Sequence, residues 1–194
     1  MSTKSRAIYF GPYEVTDQVF YSTPLSHAVV NIKPLLPGHV LIIPHRPVER
    51  FTELSVNEIA DLFATVQNVQ RMLARTYFRP PHSPDGTGRP EDGSFNLAIQ
   101  DGADAGMTVP HTHCHIIPRI KGTHDGDEIY VRMNSEEGNV GGGLWDSDSR
   151  RPVQRGMFPR IEDEHRKPRS MEQMVEEANF FRRQMDEALK NDPL

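Results

Sequence analysis

Cysteine is almost missing from this chain: Cys114 is the only one in 194 residues. A lone thiol excludes an intramolecular disulfide framework and suits a reducing compartment, so a cytoplasmic or nuclear location is expected. Positive charge is also in short supply. The 22 Lys and Arg are outnumbered by 27 Asp and Glu, for a net charge of −5. That excludes the broad basic field that drives sequence-independent binding to nucleic acid or anionic lipid. Neither is expected as a partner; a small ligand or another protein chain is. Nowhere do eighteen apolar residues run together, and the opening "MSTKSRAIYF" has no apolar stretch of signal-peptide length. No membrane-spanning helix and no secretion signal are therefore expected.

A hydrophobic content of 36% is enough for one core, and a single domain over residues 1–194 is expected. The runs "HAVVNIK" (27–33) and "HVLIIP" (39–44), rich in β-branched residues and separated by "PLLPG", predict a β-hairpin. In the segment that follows, Ser55 and Glu58 form a capping-box pair. Ile59, Leu62, Phe63, Val66, Val69 and Leu73 then recur at helical spacing, which predicts a helix over about 56–77. "RPPHSPDGTGRPEDGS" (79–94) is dense in Pro and Gly without apolar periodicity and reads as a flexible inserted surface loop. "FNLAIQ" (95–100) alternates as a half-buried strand does.

From about 121 the chain turns polar, and the segment 134–169, with "GGG" and "DSDSRR", offers little for a core and is expected to be poorly ordered. A last helix, over about 170–189, is predicted from the Ser170/Gln173 cap and an apolar stripe that includes Met174, Ala178, Phe181 and Met185. It would dock on the sheet or cover a dimer edge. The order of elements describes an α+β fold around an antiparallel sheet of about five strands, with one long helix and a C-terminal helix.

The chemistry gathers in "VPHTHCHIIPR" (109–119), where three histidines stand at every second position. On a strand, His111, His113 and His115 share one face while Thr112, Cys114 and Ile116 share the other. Three readings compete. The histidines could be solvated and idle, although a buried ring nitrogen without a partner is costly. They could bind Zn²⁺ together with a further histidine such as His39, although the strand carries no acid to orient such ligands. Or one imidazole could attack phosphorus.

"HTHCHII" resembles the motif of the histidine-triad superfamily. The wider set "YFGPYEVTDQVFY", "VVNIKPLLPGHVLIIPHRPVERFTEL", "EIADLF", "AIQDGADAG", "TVPHTHCHIIPR" and "EIYVRM" is similar, in the same order, to its fragile-histidine-triad branch of dinucleoside polyphosphate hydrolases. The likeness covers most of residues 8–133. The superfamily's transferases typically have Gln at the third triad position, so His115 favours hydrolysis. The resemblance implies that His113 attacks the α-phosphorus of a substrate such as diadenosine triphosphate, leaving a nucleotidyl-histidine that water resolves to AMP. It makes His115 a donor to phosphate oxygens, His111 a supporting member and His39 a fourth histidine near the pocket.

The same resemblance implies that Asn31 contacts the ribose, and that Phe10, Val15 and Val29 wall the base pocket. It makes Gln100 a nucleotide contact, and it wraps the phosphates with the loop Gly106, Met107, Thr108 and Val109, whose amides would act as anion donors. It further implies a divalent cation, Mg²⁺ or Mn²⁺, riding on the polyphosphate, with no protein-held metal, and a homodimer formed through the long helix and an edge strand. Tyr130 matches a tyrosine of a mobile loop. Cys114 points away from the histidine face and reads as a small core residue.

Met107 departs from the pattern, because the hydrolase branch normally has a glutamine there as a side-chain donor. Slow turnover by a nucleotide-binding signalling module and hydrolysis of AMP-lysine phosphoramidates remain the alternative functions. With an ordinary imidazole pKa of about 6.5, the rate is expected to fall as pH drops below that region.

Overall fold

The structure, a computed structural model, describes residues 7–121 and 168–191. Its main body is a five-stranded antiparallel sheet in the order β3-β4-β5-β7-β6. The strands are β3 (Val19–Ser22), β4 (Ser26–Val30), β5 (Val40–Pro44), β6 (Ser94–Ile99) and β7 (Cys114–Arg119). Two-residue strands β1 (Tyr9–Phe10) and β2 (Tyr13–Glu14) form a separate ribbon. Among the described residues two α-helices, α1 (Val56–Tyr77) and α2 (Met171–Asn191), pack with the sheet.

Every residue of β4 and β5 is buried, which is why these central strands read as continuous apolar runs rather than alternating ones. Their two faces serve different layers. Ala28, Val30, Val40, Ile42, Cys114 and Ile116 pack under the helices with Leu62, Val66, Val69, Met72, Phe181 and Met185. Val29, Leu41 and Ile43 face the other way and pack with Phe10, Val15, Val19 and Val109. The histidines lie on this second face.

The long helix spans the predicted residues because its start is chemically marked. Ser55 Oγ accepts the amide of Glu58, while the Glu58 carboxylate accepts the Ser55 amide at 2.8 Å. Arg46 then clamps Glu58 with two bonds of 2.7 Å, which holds that carboxyl down at about 2. α2 begins with the same reciprocal cap between Ser170 and Gln173 and packs against α1 and β3, so it docks on the sheet.

The structure adds three features to these expectations. Strands β1 to β3 were not legible as strands, and together they add the ribbon and one edge of the sheet. Residues 79–94 hold local hydrogen bonds that their composition does not reveal. The Asp92 carboxylate accepts from the Thr87 amide and hydroxyl and from the Arg89 amide, at 2.6, 2.7 and 3.0 Å, and Gly88 donates to the Phe78 carbonyl at 2.9 Å. The histidine stretch, finally, joins the ladder only at Cys114, opposite Ile42. Ahead of that point, His111 donates back to the Val109 carbonyl and Thr112 donates to Val48, each at 2.7 Å, so their amides are diverted from the sheet. Of the segment 134–169, only residues 168 and 169 are among the described residues, and Tyr130 lies outside them.

Candidate active site

The site is built from three places: the turn after β4 with the start of β5, the approach to β7, and the β1–β2 ribbon. His39, His111, His113 and His115 are all buried. Neighbouring rings approach closely, with centroids 4.9 Å apart for His113 and His115 and 5.2 Å for His39 and His115.

Main-chain groups have fixed roles, so they determine which nitrogen of each ring carries hydrogen. The Gly11 amide donates to His111 Nδ1 at 3.0 Å, which leaves His111 Nε2–H to donate to the Pro44 carbonyl at 2.9 Å. His113 Nδ1–H donates to the His111 carbonyl at 2.8 Å. Its Nε2 therefore bears a lone pair, and that atom is buried without a partner among the described residues.

The Leu35 amide donates to His39 Nδ1 at 3.1 Å, so His39 Nε2–H donates to His115 Nδ1 at 3.0 Å. His115 Nε2–H is then a donor, also without a described partner. One face of the sheet thus presents a nucleophilic nitrogen and, on the next ring, a hydrogen-bond donor.

Burial keeps these rings neutral. Loss of hydration lowers His113 to about 4, partly offset by its bond to the His111 carbonyl. His115 is pushed well below the ordinary range by burial and by the neighbouring His113 and His39, and His111 is lowered mainly by burial. Cys114, on the opposite face, is pushed up to about 12 by burial, which makes it a packing group and not a nucleophile.

The other candidates fall around these rings. Phe10 meets His113 edge-on at 5.0 Å and packs in one cluster with Val15, Val29 and Val109. Asn31 is buried, with Nδ2 3.3 and 3.2 Å from the two nitrogens of His39 and Oδ1 accepting the Lys33 amide at 3.0 Å. Gln100 lies against Gly106, whose φ of +92° and close approach both call for glycine: a Cβ there would stand 2.7 Å from Gln100 Nε2.

The loop expected to offer four amides offers fewer. Gly106 donates to Ala103 at 3.0 Å and Met107 to Gly102 at 3.1 Å, because the chain closes a tight turn there. Two of the four amides are therefore already taken within the loop. Among the described residues no group of three His, Cys, Asp or Glu is arranged to hold a metal ion, and His39 and His115 are bonded to each other.

Several contributors carry no sequence signal. The Gly11 and Leu35 amides and the Pro44 carbonyl act through the backbone alone. His27 is fully buried on the site face, stacked on His45 with centroids 4.8 Å apart, and burial lowers it to about 3. Arg169, 138 positions from Asn31, bonds the Asn31 carbonyl.

A buried sheet face carrying a row of histidines whose tautomers are set by the main chain defines the class, and the chain belongs to the HIT domain family, whose model matches residues 13–122. Within it, the chain is 40% identical over 185 residues to the bis(5'-nucleosyl)-tetraphosphatase [asymmetrical] of Schizosaccharomyces pombe, covering 91% of this chain and 93% of that one. It is 37% identical over 189 residues to the bifunctional bis(5'-adenosyl)-triphosphatase/adenylylsulfatase FHIT of Arabidopsis thaliana, covering 96% and 88%. The structure of the Plasmodium falciparum diadenosine triphosphate hydrolase superposes with a TM-score of 0.61 at 27% identity, covering 96% of this chain and 88% of that one.

The burial of His113 moves the expected acid limit of activity. Its folded value lies near 4 instead of 6.5, so the neutral ring persists as pH falls and is lost only through that lower region. The value of kcat/KM, which reports the free enzyme, should stay level from pH 8 to about 5 and fall below it. Circular dichroism at each pH would separate titration from unfolding, and a decline centred near 6.5 in folded protein would show that His113 is not shielded in this way.

Proposed function

We propose that this chain hydrolyses dinucleoside polyphosphates through a covalent nucleotidyl-histidine. The observation that carries the reading is His113 Nε2: buried, neutral, bearing a lone pair, and beside the donor Nε2–H of His115. His113 Nε2 forms a bond to the α-phosphorus while the bond from that phosphorus to the bridging oxygen breaks, and the second nucleotide leaves with the electron pair. Water then attacks the same phosphorus, the N–P bond breaks and AMP departs. His115 donates to a phosphate oxygen as charge grows there. Asn31 contacts the ribose, Gln100 the nucleotide, and Phe10, Val15 and Val29 the base.

Diadenosine triphosphate is the favoured substrate, which the names of the Arabidopsis and Plasmodium relatives support. The name of the fission-yeast relative supports the tetraphosphate as a second one. A Mg²⁺ or Mn²⁺ ion arrives on the polyphosphate as part of the substrate. A cytoplasmic and nuclear location belongs to the same proposal, supported by the single reduced cysteine, as does the absence of nucleic-acid and membrane partners, supported by the acidic net charge.

His113→Asn should lower turnover by on the order of 10⁴ or more while substrate still binds. Acid quench of the wild type should trap an AMP adduct on the peptide that contains His113. Attack at the α-phosphorus should give AMP and ADP from the triphosphate and AMP and ATP from the tetraphosphate. Two molecules of ADP from the tetraphosphate would place the attack elsewhere and overturn the assignment.

Met107 favours a second reading, a slowly turning nucleotide-binding module. Its thioether cannot donate and its amide is already bonded to Gly102, so this position contributes no donor to the phosphates. Met107→Gln should raise kcat, by up to on the order of 10², with a smaller change in KM. An unchanged kcat would mean that another group of the site already supplies the donor.

We also propose a homodimer through the edge of β6 and α1. Among the described residues β6 has a neighbour only in β7, and Leu97 on it is 45% exposed. Pairing two such edges would cover them. A monomer mass by light scattering at micromolar concentration would count against it.

A further inference from the structure

The β4–β5 ladder ends at the pair Val30–Val40, so the carbonyls of Asn31 and Ile32 have no strand partner. Both are taken up from far along the chain. The Arg169 amide donates to the Ile32 carbonyl at 3.0 Å, and one guanidinium nitrogen of Arg169 donates to the Asn31 carbonyl. A second guanidinium nitrogen pairs with Glu177 of α2 at 2.6 Å, with the two side chains 18% and 22% exposed. The guanidinium is thus oriented from the helix side before it meets the turn.

What it meets is the turn that carries the site. Asn31 places its side chain between the Lys33 amide and the ring of His39, and His39 donates to His115. A continuous series of contacts runs from α2 through Arg169, Asn31 and His39 to Nδ1 of the His115 ring. The main chain of Asn31 is the member that no strand holds, and Arg169 holds it instead.

We propose that Arg169 is a positioning residue of the nucleotide site: by binding the carbonyls of Asn31 and Ile32 it fixes the Asn31 side chain against the ribose. This rests on the reading of Asn31 as the ribose contact given above. An arginine that only anchored α2 would matter for stability alone. One that aims Asn31 acts on ribose recognition in particular.

The test compares wild type, Arg169→Met, Arg169→Lys and Phe181→Leu. Phe181 packs on Phe20 and Tyr77, so its truncation loosens α2 without touching the turn. For each protein, the Kd for AMP and for 2′,3′-dideoxy-AMP is measured by calorimetry, with the melting temperature and the hydrolysis of diadenosine triphosphate alongside. Arg169→Met should weaken AMP on the order of 10-fold, roughly the loss of one good hydrogen bond, and leave the dideoxy nucleotide nearly unchanged. Arg169→Lys should restore part of the preference. Phe181→Leu should lower the melting temperature and keep the wild-type ratio.

Equal weakening of both nucleotides by Arg169→Met, or the same loss of ratio in Phe181→Leu, would overturn the proposal. So would a wild type that does not prefer AMP, since Asn31 would then not read the ribose. A wild type that shows the preference and the Arg169 effect but cleaves no dinucleoside polyphosphate would support the role of Arg169 and overturn the hydrolase reading instead.

Discussion

The site depends on main-chain groups that cannot exchange roles. A peptide N–H only donates and a carbonyl only accepts, so the Gly11 and Leu35 amides and the Pro44 and His111 carbonyls leave each ring one tautomer. Three rings are set directly, and His115 is set through His39. A buried imidazole with no such partner on one nitrogen would be free to present either a lone pair or a hydrogen to a ligand. Here His113 presents the first and His115 the second, and burial disfavours the charged form that would erase the difference.

This arrangement needs a rigid sheet with two unlike faces. The helix side of β4, β5 and β7 is apolar and dense, closed by α1 and α2. The opposite side gives its positions to histidines and to the cluster around Phe10 and Val29. The ribbon and the turn before β7 cover that side, and both deliver backbone groups to the rings. Elements with little regular structure of their own thus supply much of the hydrogen-bonding frame of the site.

Much of this was legible in the residue pattern, and the gaps have physical causes. The α1 bounds follow from a cap that Ser55 and Glu58 advertise by type and spacing, and the hairpin follows from β-branched runs around Pro and Gly. The period-two histidines put His113 and His115 on one face, as observed. The strand itself starts later than the pattern suggests, because the Thr112 amide finds Val48, a partner that no local pattern reveals. The amides of Gly106 and Met107 were expected to face phosphate, yet a turn back to Ala103 and Gly102 consumes them. β1 and β2 are two residues each, too short for any period to show. Arg169 was invisible for a different reason: its contact with Asn31 spans 138 positions and involves a carbonyl that every residue has.

The order of donors behind His115 also bears on the departure from phosphorus proposed above. His39 Nδ1 is occupied by a peptide N–H that cannot be surrendered, so a proton lost from His115 could be replaced through His39 only by creating an imidazolate. His115 is also held neutral, and a neutral imidazole can hydrogen-bond to a departing atom but is far too weak an acid to protonate it. A nucleoside di- or triphosphate departs as a stable anion and needs no proton. While they stay neutral, the four rings thus offer phosphate one lone pair and one donor hydrogen, a pairing that suits a leaving group able to depart as a stable anion.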